Sequence, residues 1–211
     1  MDRRTALKLP LVLTAGAAFT RLPRASAEPV RWTVDRANAW YQSQGWLVGA
    51  NYITSTAGNQ IEMFQQGTYD PQLIDRELNA ARLIGFNSVR VFLHDLLWAQ
   101  DRVNFQRRLA QFVSIAAGRG IKPLFVLFDS CWDPVPRLGV QRAPKPGVHN
   151  SAWVQGPGAE RLDDPSYLRV MHDYVTGVMT QFRNDGRVLG WDLWNEPDNP
   201  ADTYRQVERN D

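Results

Sequence analysis

One cysteine, three histidines and a net charge of +2 in 211 residues are the scarcities that narrow this sequence first. With Cys131 alone, neither an intramolecular disulfide framework nor a cysteine-rich metal site can form, and three scattered histidines argue against a histidine-based one. No cofactor is implied. Lysine plus arginine number 24 against 22 aspartates and glutamates, and several of those arginines fall in the first residues, so the remainder is close to neutral. That removes the electrostatic footprint of a nucleic-acid or anionic-membrane partner. What is plentiful is apolar mass: 44% hydrophobic residues with eight tryptophans exclude a disordered chain and require a packed core.

Residues 1–27 read as an export leader. Asp2, Arg3 and Arg4 form a charged start, an apolar stretch interrupted by Pro10 runs from Leu7 to Phe19, and Ala25-Ser26-Ala27 is a small-residue cleavage site. The stretch is too short and too interrupted to span a bilayer. The run from Asp2 to Lys8 is similar to the twin-arginine export motif, with Ala6 where a bulkier apolar residue is usual. Removal after Ala27 leaves 211 − 27 = 184 residues, 28–211, for a periplasmic or extracellular protein.

From Gly45 onward, short apolar runs alternate with helical periodicity. Residues 46–53 (WLVGANYI) predict a strand. Asp70 and Pro71 open a helix, as N-cap and first-turn residue, with Ile74, Leu78, Ala81 and Ile84 on one face and Gly85 as its stop. Residues 88–93 (SVRVFL) predict a second strand, and 104–117 a helix presenting Phe105, Leu109, Phe112, Val113 and Ala116. The continuous apolar run 121–128 (IKPLFVLF) has the pattern of a strand buried on both faces, as in parallel sheets. A helix from about Asp164 and a strand at 188–194 (VLGWDLW) complete a strand–helix alternation that defines an α/β class with parallel strands and crossover helices. The Pro- and Gly-rich stretch 133–163 is long for a connection. It is expected either to wall a ligand cleft, anchored by Trp132, Trp153 and Val154, or to be a disordered insertion.

The strongest local signal is Trp191-Asp192-Leu193-Trp194-Asn195-Glu196-Pro197 at the end of the fourth predicted strand. Here the chain resembles the clan A glycoside hydrolases, the retaining (β/α)8 enzymes that include the cellulase-like family 5, whose fourth strand ends in Asn-Glu-Pro. The resemblance runs from Trp46 to Asn199. It implies that Glu196 is the general acid/base and that Asn195 donates to the sugar 2-hydroxyl. It also implies that Arg90 pairs with the nucleophile carboxylate. His94 and Asp129, each just at or past a strand end, are candidates to bind sugar hydroxyls. Trp98, Trp132 and Trp194 are candidate stacking platforms, with Tyr52 and Trp153 as further ones, because the C–H faces of a pyranose are apolar. The acid role requires a protonated carboxyl near neutral pH, which burial beside Trp194 and a nearby anionic nucleophile would favour by raising the pKa. Cys131 has no adjacent base and reads as an unreactive thiol.

Residues 46–211 number 211 − 46 + 1 = 166 and hold four units of about 41 residues. Eight such units, the closed barrel, need roughly 330. The sequence is therefore expected to be the N-terminal half of a (β/α)8 TIM barrel. The clan's nucleophile ends the seventh strand, and none of Glu28, Glu62, Glu77, Glu160 and Glu208 ends a predicted strand, so it is expected outside this chain. The expected partner is an oligo- or polysaccharide, β-linked mannan, xylan or glucan, cleaved with retention by the full-length enzyme, this piece alone being inactive. A non-catalytic carbohydrate-binding or vestigial protein is the competing reading. A doubly wound nucleotide-binding domain is disfavoured, because Gly49-Ala50-Asn51 stands where a Gly-rich turn would follow the first strand.

Overall fold

In the computed structural model, residues 31–199 are described. The leader and its cleavage site lie outside the described residues. The chain divides into two units, one ending at Gln44 and one beginning at Gly45. The described part of the first is helix α1 (Val34–Ser43), capped by Thr33, whose side-chain oxygen accepts from the Arg36 N–H at 3.2 Å. None of its residues is buried.

The second unit runs β1 (Gly49–Asn51), α2 (Gln60–Phe64), α3 (Pro71–Leu83), β2 (Ser88–Phe92), α4 (Asp95–Gly118), β3 (Lys122–Asp129), α5 (Ala159–Leu162), a 3₁₀ turn (Pro165–Tyr167), α6 (Leu168–Gln181) and β4 (Gly190–Asn195). The four strands pair in parallel, in the order β1-β2-β3-β4. Each strand is laid beside its predecessor in one direction. A doubly wound sheet would instead reverse direction at a switch point, so this order is that of an arc of a (β/α)8 barrel.

Local chemistry explains most element boundaries. Asp70 Oδ1 accepts from the Leu73 N–H at 2.9 Å and Pro71 occupies the first turn of α3, which buries Ile74 and Leu78. Gly85, at φ +97°, ends that turn in a conformation glycine adopts without strain. Ile84, expected on the buried face, is 75% exposed because the helix has already ended at Leu83. Helix α4 begins nine residues before the predicted 104, capped by His94, and bends at Asp101, where the backbone leaves helical geometry. Asp101 Oδ1 accepts from Asn104 Nδ2 at 2.9 Å, so the predicted helix is the second limb of a longer, kinked one.

The pleat sends alternate side chains to opposite faces of the sheet. Val89, Val91, Phe125, Leu127 and Trp191 meet Phe112, Tyr174 and Phe182 from the helices in the main core. On the other face, Phe92 and Val126 are covered by Trp153 in a separate small cluster. Helix α6 approaches α4 so closely that a Cβ on Gly177 would lie 2.0 Å from the Trp98 ring.

The long connection after β3 is tied down. Gly156 pairs with Asp129 and Val154 with Asp133 as isolated bridges. Gln60 Nε2 donates to the Val154 carbonyl at 2.6 Å, and Asn59 Nδ2 to that of Ala152 at 2.9 Å. Gln65 exchanges two hydrogen bonds with the Gly139 backbone, at 2.9 and 3.0 Å. Residues 151–158 are buried, and the Trp153 ring stands edge-on to Phe92 with 4.9 Å between centroids. Of the two expectations for this stretch, a wall fits and a disordered insertion does not. With Asn59 it lines a cavity of about 490 Å³.

Candidate active site

The C-terminal ends of β2, β3 and β4 bring Arg90, Asp129, Cys131, Trp194, Asn195 and Glu196 together. In register, Arg90 is level with Leu124, and Leu124 with Gly190. To reach β4, Arg90 must therefore cross β3, roughly 9–10 Å at the usual strand spacing. The guanidinium extends to Asp192, with which it forms an ion pair, and to Asn195 Oδ1 at 2.9 Å. Arg90 also lies over Phe92, two residues on along the same face, at 4.7 Å from the ring centre. The carboxylate that engages Arg90 is thus Asp192, within the sheet.

Three consecutive residues at the end of β3 each hold one of three at the end of β4. Asp129 Oδ1 accepts from Asn195 Nδ2 at 2.9 Å. Ser130 Oγ accepts from Trp194 Nε1 at 2.7 Å. Cys131 Sγ donates to Glu196 Oε2 at 3.3 Å. With its oxygen on Arg90 and its nitrogen on Asp129, the Asn195 amide cannot flip without losing both bonds, which leaves its second N–H in a fixed direction.

Glu196 is exposed and sits at φ +46°, a left-handed conformation uncommon outside glycine and often found at functional positions. Asn199 Nδ2 donates to its Oε2 at 2.7 Å. These donors, Asn199 first and then Cys131, with Arg90 adding a favourable field, hold the carboxyl below its ordinary range against a small opposing effect of burial. This corrects one part of the expectation from sequence: Glu196 is not buried beside Trp194, so burial does not raise its proton affinity, which its partners here lower. Asp129 behaves oppositely. Burial pushes its carboxyl up, more than the Asn195 and Cys131 hydrogen bonds pull it down, and its Oδ2 is buried with no hydrogen-bond partner among the described residues. The Cys131 thiol is pushed far up by burial and by the Asp129 and Glu196 carboxylates, so it stays protonated.

The aromatic candidates separate into two groups. Trp194 is half-buried, with its ring against Phe128 at 4.9 Å between centroids. Trp132, half-buried at φ +78°, meets His149 and Trp153 edge-on. Trp98 is elsewhere: it is 3% exposed in the helical core, its Nε1 donating to Asp173 at 3.1 Å, so it offers no face to a ligand. Tyr52 likewise stacks on Phe112 and donates its hydroxyl to Glu77 at 2.9 Å.

His94 is also corrected. It is fully buried, its Nε2 donates to the Gln155 carbonyl at 2.9 Å, and its Nδ1 is met by the Leu96 N–H at 3.2 Å and by Asp95 Oδ1 at 3.0 Å. It therefore caps α4 and anchors the long connection, with no ring nitrogen left for a sugar hydroxyl. Burial would raise the Asp95 carboxyl, but His94 and the Tyr167 hydroxyl together hold it below its usual range.

Asp192, Ser130 and Asn199 are the site residues that sequence reasoning missed. A parity argument would have found Asp192, which shares a strand face with Arg90 two strands away. Ser130 and Asn199 act through turn geometry that carries no sequence signature. Among the described residues, no group of three or more His, Cys, Asp or Glu side chains could hold a metal ion.

No family model matches the chain, and no curated protein does. Two solved structures are similar to it: GH5_18 from Streptomyces cattleya in complex with GlcNAc, and an alanine variant of that protein in complex with Manβ1-4GlcNAc. Each is 16% identical, with a TM-score of 0.49, over 73% of this chain and 36% of the other. The chain thus spans about a third of the length of those structures.

Proposed function

We propose that this chain carries the acid/base half-site of a retaining glycoside hydrolase that cleaves a β-linked polysaccharide of the mannan, xylan or glucan type. The observation that carries the reading is the pairing at the end of β4: an exposed carboxyl on Glu196 directly follows an amide, Asn195, whose orientation is fixed from both sides. Glycoside cleavage needs such a pair, a carboxyl to protonate the leaving oxygen and a neighbouring donor for the hydroxyl beside the reacting carbon. Strand ends are rigid, which suits groups that must be placed within fractions of an ångström. Trp194 and Trp132 flank the pair as stacking surfaces for sugar rings, and Asp129 serves by orienting Asn195.

Retention requires a second carboxylate about 5 Å from the first. Among the described residues, Glu196 contacts Cys131 and Asn199, and we take the nucleophile to lie outside them. A protonated acid at neutral pH also requires a higher proton affinity than Glu196 has here, and an anionic nucleophile beside it would supply that shift. Export, with cleavage after Ala27, belongs to the proposal and rests on sequence. The test is hydrolysis of β-mannan, β-xylan and β-glucan by the full-length protein and by its Glu196→Gln variant. Loss of turnover in the variant supports the reading, and undiminished turnover removes it.

A further inference from the structure

We infer that Cys131 is a positioning residue for Glu196: its thiol links the carboxyl group to Asn199 and Asn195 and holds it at the mouth of the site. This rests on the reading of Glu196 given above. Cys131 is 5% exposed, and its sulfur lies 3.3 Å from Glu196 Oε2, 3.4 Å from Asn199 Nδ2 and 3.8 Å from Asn195 Nδ2. It thus donates to Glu196 and accepts from Asn199, with a longer and weaker approach from Asn195 Nδ2 that a sugar hydroxyl would replace. Glu196 is exposed and follows the strand at a left-handed φ, so the pleat of β4 does not fix its side chain. Its direction is set by what it touches, and those contacts are Cys131 and Asn199.

The two residues before Cys131 have the same kind of task. Asp129 holds Asn195 and Ser130 holds Trp194, and the Ser130 N–H donates to the Asn195 carbonyl at 3.2 Å, extending the ladder one step beyond the strands. Residues 129–131 therefore template residues 194–196. A thiol at the third position is chemically apt. S–H is a weak donor, so it orients a carboxylate without opposing protonation as strongly as a hydroxyl would. Burial and two carboxylates keep it protonated across the working range, so it remains a donor and does not become a competing nucleophile.

The charged group acting on Glu196 is Arg90 from β2, itself paired with Asp192 of β4; the neutral Cys131 thiol from the end of β3 lies between Glu196 and the Asp129 carboxyl. Titration of Glu196 is read by ¹³C NMR of the glutamate-labelled protein, with its resonance assigned by loss in Glu196→Gln. Cys131→Ala should raise the Glu196 pKa by about half a unit to one unit, as loss of one hydrogen bond to the charged form requires. Cys131→Ser, which replaces the thiol by a stronger donor, should leave it at or below the wild-type value. An unchanged Glu196 titration in folded Cys131→Ala overturns the inference, as does a serine variant titrating as high as the alanine one. Should Cys131→Ala not fold, the serine variant decides: a pKa above that of wild type contradicts a donor role. Because the titration needs no turnover, its failure is separable from failure of the hydrolase reading. In the active full-length enzyme, the same shift should appear in the pH profile of kcat/KM.

Discussion

Arg90 reaches across the whole width of β3 to donate to Asn195 Oδ1 at 2.9 Å, while its ion pair with Asp192 fixes the guanidinium in place. Arg90→Met leaves Asp192 half-buried without its cation and Asn195 without its acceptor-side partner. The expected loss is about 1–3 kcal/mol, kept moderate by the partial exposure of the pair. Arg90→Lys should recover part of it, because an ammonium can meet Asp192 but lacks the fork that serves both residues. Urea unfolding of the three proteins checks this. Equal midpoints would show that the bridge across β3 does not matter to the fold.

Asp129 makes the stability pH-dependent with a definite sign. Burial raises its carboxyl above the ordinary value, so the folded chain binds this proton more tightly than the unfolded one. The group therefore opposes folding increasingly as pH climbs from the unfolded carboxylate pKa through the folded one. Asp129→Asn keeps one acceptor and removes the charge. Its melting temperature relative to wild type should be higher at pH 7 than at pH 4, by differential scanning fluorimetry. A difference that does not change with pH, or that shrinks, contradicts the assignment.

Gly177 separates α6 from Trp98 of α4. A methyl group there would lie 2.0 Å from the ring. Gly177→Ala should cost about 2–3 kcal/mol despite the better helix propensity of alanine. An unfolding midpoint at or above wild type would mean that the two helices can separate freely.

Asn59 does three things: it caps α2 by accepting from the Glu62 N–H at 3.0 Å, and it donates to Gln141 at 2.8 Å and to the Ala152 carbonyl at 2.9 Å. Asn59→Ala should cost about 2 kcal/mol and should free the long connection. Limited proteolysis would then cut between residues 137 and 150 faster than in wild type. Unchanged cleavage would show that other contacts hold the segment.

The strands and the α/β class were legible because burial on two faces leaves continuous apolar runs, as at 121–128, and because Asp70-Pro71 is a chemical start signal for a helix. The early start of α4 was not legible. His94 caps through a buried side chain, and Asp101 interrupts the periodicity that would have revealed one long helix. Within the site, Asn195 and Glu196 stood out by their motif and Arg90 by its apolar surroundings. The fates of His94 and Trp98 could not be read. Lying just past a strand is compatible with facing either a ligand or the next helix, and only packing decides, here by the approach of α6 and the return of residues 155–156. Of the two causes expected to raise the proton affinity of Glu196, burial beside Trp194 does not hold. The left-handed backbone of Glu196 turns it outward instead.

The central claim is that Glu196 is the acid/base of a retaining hydrolase, and azide rescue of Glu196→Ala in the full-length protein tests it most directly. On an activated aryl β-glycoside, the leaving group needs no acid, so the glycosyl-enzyme should form and then stall for want of a base. Azide should attack that intermediate and restore turnover, and NMR should identify the product as the β-glycosyl azide, with configuration retained. An α-glycosyl azide, no response to azide, or wild-type turnover of natural glycan by the alanine variant would contradict the account.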